Sequence, residues 1–373
     1  MLQPRFARTI LCFSAMIAVM VAIQLPAFAQ STADNRGKVI QFDASEAGTA
    51  PGLGTIPLAN NDFGIVVGTY LDANSVYHGL IRTPLGRVIS FDAPRAGSVP
   101  GSFEGTTAYS INDLGVITGS VTDGNNLTHG FVRLGNAYYF EFDAPGAGTG
   151  SGQGTWPFSI NIEGATLGIY VDAGNVQHGY ISTPNGKITG FDPPGSVYTY
   201  PCEETCLNAA GVSTGFWEDA NGNYHGFIRE PDGTITVVDP PGANGFSGCA
   251  SINLEGTTTG YFLGTDGRYH GYVRSRAGEF TTFDAPGAAA GGVGTAVFSI
   301  NAFGTVTGEY FDANNVTHGF SRSADGKFAN FEAPGGGTLA GQGTRPSTNN
   351  LESAVTGWYI DGNNLYHGFV WLP

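Results

Sequence analysis

Charge is scarce in this 373-residue sequence, where Asp, Glu, Lys and Arg together make up 13%. What charge there is leans one way: 31 acids against 16 bases give a formal net charge of −15. Such a surface repels phosphate backbones, so no nucleic-acid partner is expected. Histidine stops at seven and cysteine at four. No segment carries the three-and-four apolar spacing of an amphipathic helix over a useful length. Beyond the first thirty residues no apolar run is long enough to cross a bilayer, so no membrane span is expected in the processed chain. Catalytic signatures are absent too, with no GxSxG elbow, no HExxH pair and no Walker-type loop. The "GQG" and "GAG" stretches follow prolines and have no helix behind them to hold a phosphate.

What is present starts with an export signal. Residues 1–29 place Arg5 and Arg8 ahead of an apolar run that ends in Ala27-Phe28-Ala29. This is the pattern of a signal peptide cut before Gln30 and directs the chain to the periplasm or the exterior. Residues 30–37 read as a short linker. Removing Cys12 with the signal leaves Cys202, Cys206 and Cys249, an odd number that suggests one disulfide and one spare thiol in an oxidising compartment. On a fully extended strand Cys202 and Cys206 would stand about 13 Å apart, which favours Cys249 as the bridging partner. A zinc site lacks a nearby histidine or a CxxC pair.

The 58 glycines and 20 prolines, mixed with 25 phenylalanines and 16 tyrosines, point to many tight turns between short strands rather than to disorder. Those turns are periodic. Every histidine is followed by glycine, and His78, His129, His178, His225, His270, His318 and His367 lie 45–51 residues apart. A turn asparagine keeps step at Asn61, Asn112, Asn161, Asn208, Asn253, Asn301 and Asn349, and an acid closes a strand at Asp43, Asp92, Asp143, Asp192, Asp239, Asp284 and Glu332. Periods of this length signal propellers or solenoids.

Each unit reads as four strands, as in "TAYSIN", "VITGSVTD", "LTHGFVR" and "AYYFEFDAP" between Thr107 and Pro145. The first strand after the linker, "KVIQFDA", is a fourth strand, whereas the chain ends on a third. That offset lets the N-terminal strand complete the last unit and leaves no open sheet edge. The reading is an all-β, seven-bladed β-propeller over residues 38–373, with four-stranded blades.

In such a ring the third strands lie about 15 Å from the axis, so the seven histidines stand too far apart to share a metal. Each is expected instead to hydrogen-bond the strand-closing acid of its own blade, or a backbone carbonyl, fixing strand register and satisfying a buried polar group such as that carboxylate. The hairpin acids Asp72, Asp123, Asp172, Asp219, Asp312 and Asp361 resemble calcium loops, but each loop offers one carboxylate where calcium takes six to eight oxygens. Asx turns account for them without an ion, and no cofactor is expected, calcium being the alternative.

The "HGF" tripeptide, the preceding asparagine-to-glycine turn and the period of about fifty residues resemble the HAF-type extracellular repeat family. Glycine stands here where that family has alanine, and the "FDAPGAG" element is an addition. The resemblance spans nearly all of residues 38–373 and implies an exported repeat protein with β-propeller-like units and no assigned catalytic activity.

Function is expected in the loops joining one blade to the next, which vary most. They supply Phe103, Glu104, Trp156, Tyr198, Tyr200, Glu203, Glu204, Phe246 and Arg345 as candidate ligand-binding residues, aromatics and carboxylates suited to gripping a glycan or a protein. The leading expectation is a monomeric binding or interaction module for an envelope or extracellular glycan or protein. A propeller lyase or hydrolase acting on polysaccharide or peptide at the channel mouth is one alternative, and a purely structural extracellular protein is another.

Overall fold

The computed structural model describes residues 37–201 and 205–373; the signal segment and most of the linker lie outside them. Among the described residues every regular element is a strand. The first four-strand run is β2 (Gly54–Asn60), β3 (Val66–Leu71), β4 (Tyr77–Arg82) and β5 (Val88–Phe91), paired antiparallel in chain order. The pattern repeats from β6 (Gly105–Ile111) to β9 (Tyr139–Phe142) and from β10 (Gly154–Ile160) to β13 (Ile188–Phe191). It continues from β14 (Ser196–Pro201) to β17 (Ile235–Val238), from β18 (Ala243–Ile252) to β21 (Phe280–Phe283), and from β22 (Thr295–Ile300) to β25 (Phe328–Phe331).

The last run has three strands of its own, β26 (Gly343–Asn349), β27 (Val355–Ile360) and β28 (Tyr366–Leu372). Its fourth is β1 (Lys38–Phe42), which pairs with β28 from Lys38↔Leu372 to Phe42↔Gly368. His367 Nδ1 meets the Asp43 carboxylate at 2.9 Å across the same junction.

A ring of buried asparagines joins the runs at the turns between first and second strands. The side-chain amide of Asn61 donates to the Asn112 carbonyl, and the relay continues through Asn161, Asn208, Asn253, Asn301 and Asn350. Asn350 donates back to the Asn61 carbonyl, and all seven bonds measure 2.9–3.2 Å. Each Oδ1 also accepts the main-chain N–H four residues on, as from Ile65 to Asn61. The seventh member is Asn350, where Asn349 was expected. Asn349 instead accepts from the Ser299 hydroxyl and donates to the Thr305 carbonyl.

At the opposite end of the first strands a glycine meets the third strand of the preceding run. Gly54 pairs with Tyr366 at φ 129°, and a Cβ there would stand 2.0 Å from the Tyr366 carbonyl oxygen, so no other residue fits. The threonine after it latches the preceding outer strand: Thr55, Thr106, Thr155, Thr295 and Thr344 accept the N–H of Ala44, Ala93, Ala144, Ala285 and Ala333 at 2.9–3.0 Å.

Candidate functional site

The His-Gly pair and the residue after it resolve into three jobs. Histidine Nδ1 donates to the strand-closing acid at 2.7–3.0 Å in His78–Asp92, His129–Asp143, His178–Asp192, His225–Asp239, His270–Asp284 and His367–Asp43. His318 does the same with Glu332. The glycine leaves room for the phenylalanine of the outer strand: a Cβ on Gly79 would stand 2.5 Å from the Phe91 ring, and Gly319 faces Phe331 in the same way. The third residue is core, since Leu80, Phe131, Tyr180, Phe227, Tyr272, Phe320 and Phe369 are all fully buried.

One expectation needs correcting here. The carboxylates that receive the histidines are 38–52% exposed, not buried, so water can replace the imidazole. The hydrogen bond to Asp92 raises the His78 pKa, and that to Glu332 raises His318.

Hairpin acids face the other imidazole nitrogen at 3.5–3.9 Å, as with Asp172 and His178. Their oxygens are already engaged in turns. Asp172 Oδ1 accepts the N–H of Gly174 and Val176 at 2.8 Å. The Val176 N–H, then that of Gly174, outweighs a burial penalty and holds this carboxyl below its usual range.

A cavity of about 380 Å³ opens on the inner side of the ring, lined by the first and second strands of neighbouring runs. Its walls carry Tyr198, Tyr200, Phe216, Phe246, Tyr261, Phe298 and Trp358, with Gly248, Cys249, Ala250, Pro346 and Ser347 between them. None of these twelve is charged. The rings form an arc: Tyr200–Phe216 centroids are 5.1 Å apart, Phe216–Phe246 6.0 Å, Phe246–Tyr261 5.4 Å and Tyr261–Phe298 6.2 Å. Beyond Tyr200 the arc runs on through Phe158 to Tyr109.

Two local devices place these side chains. Most first strands carry a β-bulge, whose extra residue is Leu58, Tyr109, Phe158, Ala250, Phe298 or Ser347, and a bulge re-aims its side chain. The other device is the residue after the repeated second-strand glycine, which is Thr69, Ser120, Ile169, Phe216, Tyr261, Glu309 or Trp358.

Of the nine candidates named from sequence, Tyr198, Tyr200 and Phe246 line this cavity. Phe103 sits outside it, 56% exposed with its ring 6.2 Å from Tyr77. Glu104 is a loop cap, buried, with its carboxylate accepting the Val99 N–H at 3.2 Å. Trp156 pairs across the ladder with Ile169 and is not among the lining residues. Glu203 and Glu204 lie outside the described residues. Arg345 stands opposite Trp358 on the ladder and its Nη1 is 3.8 Å from Glu309 Oε1. Burial pushes the Glu309 carboxyl up to about 7, with Arg345 opposing.

The disulfide differs from expectation. Cys206 is disulfide-bonded, whereas Cys249 is a free, buried thiol that meets the Tyr272 hydroxyl at 3.0 Å. The extended-strand premise fails because β14 ends at Pro201 and Cys206 stands outside any named strand. Cys202 lies outside the described residues. Burial, eased by the Tyr272 hydrogen bond, pushes the Cys249 thiol up to about 12, which keeps it protonated and unreactive.

No protein-family profile matches the chain, and no curated protein does. Solved structures do. A streptogramin B lyase superposes with a TM-score of 0.54 at 15% identity, covering 89% of this chain and 97% of its own. The fold is a β-propeller. A catalytically inactive virginiamycin B lyase from Staphylococcus aureus, solved with quinupristin, gives 0.54 at 13% identity over 90% of this chain and 99% of that one. A puromycin hydrolase gives 0.53 at 10% identity, with 86% of this chain matching half of that protein. At these identities the likeness is one of propeller fold alone.

Proposed function

We propose that this chain is an exported, seven-bladed β-propeller of the HAF-type repeat kind, with four-stranded blades and its N-terminal strand completing the last. It acts, in this reading, as a monomeric, cofactor-free binding module in the periplasm or outside the cell, and its ligand is a neutral glycan seated at the channel mouth. The closed asparagine relay and the β1–β28 pairing support the ring.

The observation that carries the ligand class is the aromatic arc around an uncharged cavity. Pyranose rings present C–H faces that stack on aromatic rings, while tyrosine hydroxyls and Ser347 offer polar edges. An acidic sugar would find no lining cation to neutralise it, and a volume of about 380 Å³ suits one or two sugar units.

Neutral oligosaccharides titrated into the protein should shift tryptophan emission through Trp358. Tyr261→Ala should weaken binding by about tenfold or more in a variant that still unfolds cooperatively. A glycan array without binding, together with unmoved emission, overturns the glycan reading. New unsaturated or reducing ends on incubated polysaccharide would replace it with an enzyme.

A further inference from the structure

The end of the ring that carries the asparagine relay has a surface unlike the rest of the molecule. Its seven turns run over residues 61–64, 112–115, 161–164, 208–211, 253–256, 301–304 and 350–353, each following or containing a relay asparagine. Turn tips in water are ordinarily polar, yet five of these expose a large apolar side chain: Phe63 at 60%, Leu114 at 45%, Leu254 at 61%, Phe303 at 69% and Leu351 at 37%. Isolated exposed leucines need no explanation, but a concentration of them around one axis marks an interaction surface. The relay forces that concentration, because it ties each turn to the next.

Charge on the same turns has one sign. Asp62, Asp113, Glu163, Glu255 and Glu352 stand among the apolar tips, and no lysine or arginine occurs in any of the seven segments. Arg276, on a neighbouring turn, packs its side chain beside Gly256. Neighbouring turns press these acids together: Asp113 accepts the Asp62 N–H at 2.9 Å, and Asp62 accepts the Leu351 N–H at 2.7 Å. Burial first, and then the charges of Asp113 and Glu352, raise the Asp62 carboxyl, with the Leu351 N–H working against them. The annulus therefore holds negative charge that a cation would relieve.

We propose that this annulus docks a cationic amphipathic segment of a partner polypeptide, its apolar face on Phe63, Leu114, Leu254 and Phe303 and its basic side chains on the acids between them. Charge decides among occupants. A second copy meeting face to face would set acid against acid. An anionic bilayer would be repelled by the same five carboxylates. A basic segment alone matches both the apolar tips and the charge. The aromatic cavity is lined by strand residues and shares none with these seven turns, so the proposal is independent of any glycan.

The test uses the full chain and a fluorescently labelled Leu/Lys amphipathic peptide, with its Leu/Glu counterpart as control. Anisotropy should show the basic peptide binding, more weakly as salt rises, and the acidic one not binding. Phe63→Ser/Phe303→Ser and Asp62→Asn/Asp113→Asn should each weaken binding by about tenfold or more, while Leu339→Ser, an exposed apolar residue on a different loop, should leave it unchanged. Thermal melts establish that the variants fold. Wild-type affinity in both folded double variants overturns the proposal. So does sedimentation showing a dimer that Phe63→Ser/Phe303→Ser dissolves, or binding of the protein to phosphatidylserine vesicles that the same change abolishes.

Discussion

Glu309 offers a direct measurement of what the inter-blade seam costs. The residue is 6% exposed, its nearest cation is Arg345 at 3.8 Å, and its carboxylate accepts no hydrogen bond among the described residues. Burial lifts its pKa from 4.5 to about 7. The folded chain therefore holds a proton here that the unfolded chain releases between these two values, and folding stability falls as pH rises through that window. A shift of this size corresponds to about 3 kcal/mol at full ionisation. Glu309→Gln keeps the shape and removes the titration. The variant should match the parent near pH 5 and exceed it by about 1–3 kcal/mol at pH 8, less whatever Arg345 contributes as an ion-pair partner. Urea unfolding at both pH values, followed by tryptophan emission, gives the difference. His78 and His318, whose raised pKa values favour the folded state below about 6.5 and lose that contribution as pH rises, act equally on both proteins and cancel. A Gln variant with the parent's stability at pH 8, or an equal gain at both pH values, would refute the argument.

Asn112→Ala should cost about 1–3 kcal/mol in chemical denaturation, because it removes the buried bond to the Asn161 carbonyl and leaves the part-buried N–H groups of Leu114 and Val116 without their acceptor. A loss below about 1 kcal/mol would mean that water reaches the relay. His225→Ala should cost no more than about 1 kcal/mol, since Asp239 is 38% exposed and the ring mainly covers Trp217. A melt showing a larger loss would make this imidazole a keystone rather than one latch among seven.

Much of the architecture was legible because it rests on fixed offsets. A histidine fourteen residues before an acid predicts a bond between adjacent antiparallel strands, and six of the seven pairs have that spacing. The seventh, His367–Asp43, is the same bond cut by the chain ends. The asparagine relay was half visible: its period stood out, but "TNN" offers two asparagines at 349 and 350, and only ladder register decides between them. The Gly-Thr latch is hidden among glycines that read as tight turns, whereas the threonine after each is the informative residue.

The cavity was harder to read. Loop position suggested Phe103 and Glu104, yet Phe216, Tyr261 and Trp358 lie within strands that look like any other half-buried strand. The available signal was variation in place: the residue after the second-strand glycine changes from Thr69 to Trp358 while its neighbours repeat. Phe298 reaches the cavity through a bulge, and a bulge depends on pairing with a strand that the local sequence does not name.

Because every relay asparagine leans on the carbonyl of its successor, the loop of amides has no first member and no spare one. Duplicating a single unit would leave one donor facing the wrong distance, and deleting one would force two turns into each other. A lineage built this way can drift freely in its tips and inner walls, but it should change its count only by a leap that re-forms the whole circle at once.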